Sequence, residues 1–161
     1  MGAMSDDLDQ LIKDIEQQEA RLVFPGFTEA DAWALGCLLV NLATERRLPV
    51  AIDIRRGQQQ LFHAGLPGSS ADNDTWIERK VRVVYRFGAS SFLVGRRLAA
   101  HGRQLDATQG ADPTLYAAHG GAFPVRLANA GVIGVVTVSG LPQADDHALV
   151  VEAIETFLAV D

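Results

Sequence analysis

The residues best suited to chemistry fall in three short stretches. In Ala118-His119-Gly120-Gly121-Ala122-Phe123-Pro124, two adjacent glycines let a backbone come close to a ligand and turn its amides toward an anion or carbonyl, and His119 adds a titratable donor or ligand atom. The same residues would equally serve a Gly-Gly turn with the histidine bonded locally. In Ser139-Gly140-Leu141-Pro142-Gln143-Ala144-Asp145-Asp146-His147, paired carboxylates beside an imidazole could orient that ring or hold a cation. Acids at a helix N-terminus also complement the helix dipole, and a single loop supplies too few ligands for a zinc or iron centre, so no metal site is expected. In Asn73-Asp74-Thr75-Trp76-Ile77-Glu78-Arg79-Lys80, helical spacing brings Trp76, Arg79 and Lys80 within one turn, an aromatic beside cations that suits a flat anionic ligand or a subunit contact. Dinucleotide and phosphate-loop glycine patterns, H-E-x-x-H and G-x-S-x-G are absent from the sequence.

Charge is unevenly distributed. Twenty acids against fourteen bases give −6 over 161 residues, which argues against nucleic acid as a partner of the whole surface. Yet Arg79, Lys80, Arg82, Arg86, Arg96, Arg97 and Arg103 follow one another with no intervening acid after Glu78, and no Lys or Arg follows Arg126. Cys37 is the only cysteine, which excludes an internal disulfide and fits a reducing compartment. No run is long and apolar enough for a membrane span or a signal peptide, so the expectation is a soluble cytoplasmic protein. Met1-Gly2-Ala3 reads as a cloning scar, leaving residues 4–161 as one domain.

The elements that must position these residues follow from periodicity. A first amphipathic helix begins near Ser5, with Leu8, Leu11, Ile12, Ile15 and Leu22 on one stripe and Asp6, Asp7 and Asp9 at its start. Thr28 and Asp31 form a capping box for a second helix, apolar nearly all round and therefore expected to be deeply packed. Val50 to Arg55 and Gln59 to Leu66 alternate as a hairpin about Gly57. A third helix, capped within Asp72 to Thr75, ends at Gly88; a fourth is capped by Ser90 or Ser91 and stopped by Gly102. Leu105 to Tyr116 lacks a period. Ala122 to Leu127 and Val132 to Ser139 form a second hairpin, the latter with Val132, Val136 and Val138 on one face and Ile133 and Val135 on the other, so both faces must be covered. A last helix follows Pro142. Hairpins covered by helices on both sides predict an α/β/α sandwich with a mainly antiparallel sheet.

The three stretches, together with Gly131-Val132-Ile133-Gly134 running into Val138-Ser139-Gly140, resemble the haem-degrading-domain family, which includes GlcG-like and HbpS-like proteins. The resemblance runs from about Ser70 to Leu158 and is closest to a small cytoplasmic branch. It implies a profilin-like sandwich, a symmetric homo-oligomer of roughly eight or more subunits, and haem as cofactor, with haem breakdown in some members. On this resemblance Arg79, Lys80 and Arg82 would meet the propionates, Trp76 and Phe123 would flank the ring, and His119 would be the axial ligand or a ligand-side donor beside the Gly120-Gly121 backbone. The sequence shows no secretion signal of the kind carried by the extracellular haem-binding branch. Two other readings remain. One is a non-catalytic assembly in which the basic segment meets Asp145, Asp146, Glu152 and Glu155 of another subunit. The other is a small-molecule enzyme using His119 as general acid or base over the Gly120 and Gly121 amides.

Overall fold

Period-two alternation in both hairpins builds a four-stranded, wholly antiparallel sheet in the computed structural model, which describes residues 2–159. Met1 of the expected scar and Val160-Asp161 at the end of the expected domain lie outside the described residues. The strands are β1 (Ala51–Arg56), β2 (Gln59–Gly65), β3 (Ala122–Leu127) and β4 (Gly131–Ser139), ordered β2-β1-β4-β3. The helices are α1 (Gly2–Arg21), α2 (Glu29–Glu45), α3 (Ala71–Phe87), α4 (Ser91–Ala100) and α5 (Gln143–Ala159). Ile52, Ile54, Phe123, Val125, Val136 and Val138 face α2 and α5, while Ala51, Ala122 and Val135 face α3. This is the predicted sandwich. Helices α1 and α4 pack on each other through Ile15, Phe92 and Leu93.

Local chemistry sets the helix ends. Thr28 Oγ1 accepts from the Asp31 amide and Asp31 returns a bond to the Thr28 amide at 2.8 Å, the expected capping box. Gly88 closes α3 at φ 69°, a left-handed conformation that favours glycine. Two ends differ from expectation. The cap of α3 is Ser70, whose amide donates to Asn73 Oδ1 at 2.8 Å, so Asp72 and Asp74 lie inside the first turn, where they complement the dipole. Helix α1 starts at Gly2, which moves Asp6, Asp7 and Asp9 out of its first turn.

Two packing expectations are corrected. The residue Ile133 is an extra one in β4, since Val125 pairs with Gly134 and Arg126 with Val132. That bulge reverses the alternation. Val132 therefore joins Val135 on the α3 side, while Ile133 joins Val136 and Val138. Helix α2 buries one side only, through Ala32, Leu35, Gly36, Leu39 and Ala43. Its opposite side leaves Trp33 64% exposed, because the sheet and α5 meet it from one direction.

The capping box and the core should separate cleanly in urea unfolding. Thr28→Ala is expected to lower stability by about 1 kcal/mol, and Phe123→Ala, which empties a fully buried position, by about 3–5 kcal/mol.

Candidate functional site

The basic face of α3 first organises the irregular segment between α4 and β3. Arg79 Nη2 donates to the Pro113 carbonyl at 2.6 Å, Arg82 Nη1 to Leu115 O at 3.0 Å, and Arg86 to the Gln109 and Gly110 carbonyls. The Ala117 amide returns a bond to the Arg79 carbonyl at 3.1 Å. The segment holds only one 3₁₀ turn, Ala107–Gln109, so most of its carbonyls need partners from elsewhere. Arginines three and four residues apart supply them along one helix face. Arg82 is thus engaged with the loop backbone rather than presented to a ligand's carboxylates.

The His119-Gly120-Gly121 turn is shaped by close packing. A Cβ at Gly95 in α4 would collide with the Ala118 carbonyl, one at Gly120 with the Gln143 carbonyl, and one at Gly121, where φ is 136°, with the Val138 carbonyl. The Gly120 amide donates to Gln143 Oε1 at 3.0 Å. That amide is therefore occupied, and the glycines serve backbone approach. His119 itself is exposed, with its ring edge-on to Trp76 at 5.4 Å. The Arg79 guanidinium lies 4.4 Å from the Trp76 ring centre, so Arg79, Trp76 and His119 form one stack. Partial burial, then the charges of Lys80, Arg79 and Arg96, hold the His119 imidazole below the usual histidine range.

Lys80, one residue further along α3, turns inward. Its Nζ lies 3.2 Å from Asp146 Oδ2 and 3.2 Å from the Val138 carbonyl, with the two side chains only 4% and 2% exposed. Asp146 also accepts from the Leu141 amide at 2.9 Å and the Gly140 amide at 3.3 Å. Burial pushes the lysine down and the aspartate up, and each charge opposes the shift of the other. His147 points away from Asp146. Its Nε2 meets Gln18 Oε1 at 2.7 Å and its ring lies on Phe92 and Phe123. The Asp-Asp-His run is thus divided between two neighbourhoods, and among the described residues no group of three His, Cys, Asp or Glu could hold a metal. Phe123, 1% exposed, lies in the core on the α2 and α5 side of the sheet. It cannot flank a ligand beside Trp76 on α3.

Two clefts meet at His119. The smaller, about 260 Å³, includes Asn73, Trp76, Lys80, Gln143 and Asp146. The larger, about 530 Å³, is walled by Arg79, Arg96, Arg103, Leu98, Leu105 and Tyr116 and contains no acidic residue. Arg96 and Arg103 enter no ion pair among the described residues. The Nε atoms of Arg79 and Arg96 are buried without a partner. The larger cleft is therefore positively charged and free of carboxylates.

A family model described as haem degrading protein HbpS-like matches residues 27–155. The chain belongs to the HbpS-like haem-degrading family. Within its relatives, the UPF0303 protein of Streptomyces coelicolor is 61% identical over 147 residues, 91% of this chain and 93% of that protein. The crystal structure of the Ybr137w protein has a TM-score of 0.82 at 34% identity, covering 92% of this chain and 87% of that one. A crystal structure of a PduOC–haem complex shares the fold at TM-score 0.66 and 17% identity, covering 81% of this chain and 94% of that one.

Sequence reasoning on this HbpS-like chain missed Arg96 and Arg103 as cleft walls. Gly95 beside Arg96 was the available signal, since a glycine inside a helix marks close backbone approach. It also missed Asp53, fully buried on β1, which accepts from Arg55 Nε at 2.7 Å and Gln60 Nε2 at 2.6 Å. Arg55 in turn reaches Glu78 on α3, and these acceptors raise its pKa further although burial works against them.

His147 makes a pH prediction. Burial pushes its imidazole down to about 4 from an ordinary 6.5. Between those values the unfolded chain binds a proton that the folded chain refuses, so stability is full above the upper value and is lost as pH falls through the window. The loss should approach roughly 3 kcal/mol, read by urea unfolding at stepped pH. His147→Gln should flatten that part of the profile.

Proposed function

We propose that this HbpS-like protein binds haem or a related tetrapyrrole in the larger cleft. The observation that carries the reading is the acid-free wall of Arg79, Arg96 and Arg103, none of which enters an ion pair among the described residues. A tetrapyrrole with two carboxylates offers the anions such a wall lacks, and guanidinium pairs carboxylate in a bidentate manner. Leu98, Leu105 and Tyr116 offer apolar and aromatic surface for the ring. His119 stands at the rim, and partial burial together with its cationic neighbours favours the neutral imidazole, the form that can donate a lone pair to iron. When bound, haem would supply an iron centre competent for electron and oxygen chemistry. The protein's own part is to pair the carboxylates, cover the ring and offer one nitrogen. The family description and the haem complex of PduOC support the reading. Lys80, Arg82 and Phe123 leave the expected ligand set because their partners are internal, whereas Trp76 and Arg79 remain at the His119 edge.

Titration with haem should give a saturable Soret shift. His119→Ala should move the Soret maximum or weaken binding by about tenfold or more. An unchanged spectrum in that variant would remove His119 from the role, and no shift in the wild type would remove the reading.

We also infer self-association, through an apolar rather than an ionic surface. Of the four acids expected to meet a neighbour's basic segment, three are engaged within the chain, Glu152 with Arg46, Glu155 with Arg21 and Asp146 with Lys80, which leaves Asp145 alone for an ionic contact. What α2 leaves uncovered is Trp33, packed edge-on against Phe62 at 5.4 Å. A second copy covering this face would bury a large aromatic area. Light scattering should then give a mass above that of one chain, unchanged by salt, and Trp33→Glu should lower it. A mass that falls with salt while Trp33→Glu has no effect would contradict this surface.

A further inference from the structure

We propose that the larger cleft selects its ligand by carboxylate rather than by iron, so that its ligand class is anionic tetrapyrroles in general, metal-free ones included. The inference rests on the tetrapyrrole reading above and deepens it. Its basis is the ratio of recognition groups in the wall. Three guanidinium groups, Arg79, Arg96 and Arg103, face one cleft that holds no carboxylate. Arg96 and Arg103 are paired with no acid among the described residues, and Arg79 is satisfied only in part, through the Pro113 carbonyl. Gathering like charges in a half-covered cleft is unfavourable unless an anion arrives, and charge-assisted bonds from the guanidinium groups to its carboxylates then offset that repulsion.

The means of gripping iron are slight by comparison. The cleft wall offers one imidazole and one phenol, that of Tyr116, whose ring is covered by the Arg86 guanidinium at 5.2 Å, and no Cys or Met side chain. His119 is exposed at the rim and held edge-on against Trp76. A single rim imidazole can ligate a metal that the carboxylates have already brought in. It is too little to set affinity against three arginines. The rest of the wall, Leu98, Leu105 and Tyr116, reads ring surface and is indifferent to what occupies the ring centre. A ring lacking iron keeps both the carboxylates and the flat apolar faces, and loses only the bond to His119.

The test compares haem, protoporphyrin IX and the dimethyl ester of protoporphyrin IX, by ligand absorbance and by quenching of tryptophan fluorescence. Protoporphyrin IX should bind within about tenfold of haem, and the ester, which lacks the anions, should bind about tenfold or more weakly than the free acid. Arg96→Ala and the exposed Arg103→Glu should each weaken both free acids alike, with unfolding curves confirming the fold. His119→Ala should alter the haem spectrum and weaken haem more than it weakens protoporphyrin IX. Binding of haem without protoporphyrin IX would overturn the proposal in favour of iron-led recognition. Equal binding of acid and ester would overturn it in favour of apolar recognition. Failure of all three ligands would instead remove the tetrapyrrole reading on which it rests.

Discussion

The buried contact between Lys80 and Asp146 is the constraint from which the site's geometry follows. It joins α3 on one face of the sheet to the first turn of α5, and it does so at the end of β4, where the Val138 carbonyl takes a second bond from the ammonium. Two charges out of water are costly, and such a pair is sustained only when its remaining bonding capacity is filled. Here the filling comes from backbone. The amides of Gly140 and Leu141 close on the carboxylate, which forces the chain to turn sharply between β4 and α5. The lysine occupies the space where a side chain at Gly121 would project, with Nζ 2.8 Å from that position. One ion pair thus determines the turn into α5 and contributes, with the Val138 carbonyl, to the need for glycine before β3. It also leaves a positive charge beneath His119.

Above that pair the chemistry divides between internal and outward cations. The basic segment looked, as a sequence, like a single patch. In the fold Lys80 is neutralised within, Arg82 and Arg86 hold the carbonyls of a loop, and Arg97 meets Glu16. Only Arg96 and Arg103, with part of Arg79, remain for a visitor. Most of the segment's charge has a structural purpose, and the proposed ligand site is what the fold leaves over.

Legibility tracked the range of the interaction. Thr28 with Asp31, the stop at Gly88 and both hairpins were readable because each depends on a few neighbouring residues. Trp76 and His119, which meet in space, stood out by residue type and family resemblance. The pairing of Lys80 with Asp146, 66 residues apart, leaves no periodic trace. Phe123 was misread because its neighbour Ala122 faces α3 and it faces α5, a difference of one step in a strand that no local rule assigns to a side. The bulge at Ile133 was hidden for a related reason, since an inserted residue is defined by its partner strand. Arg82 and Arg86 were unreadable because their acceptors are carbonyls of a loop without a pattern.

The contact of Gly95 with the Ala118 carbonyl carries a mechanical meaning. Where α4 meets the segment before His119, main chain touches main chain, with no side chain between to yield or rotate. Arg96 and His119 adjoin this contact, one on each side, so the spacing of their main-chain attachment points is set by backbone contact. The ordering entropy of that corner is lost during folding, before any ligand arrives. A cleft anchored in this way leaves little for induced fit to do.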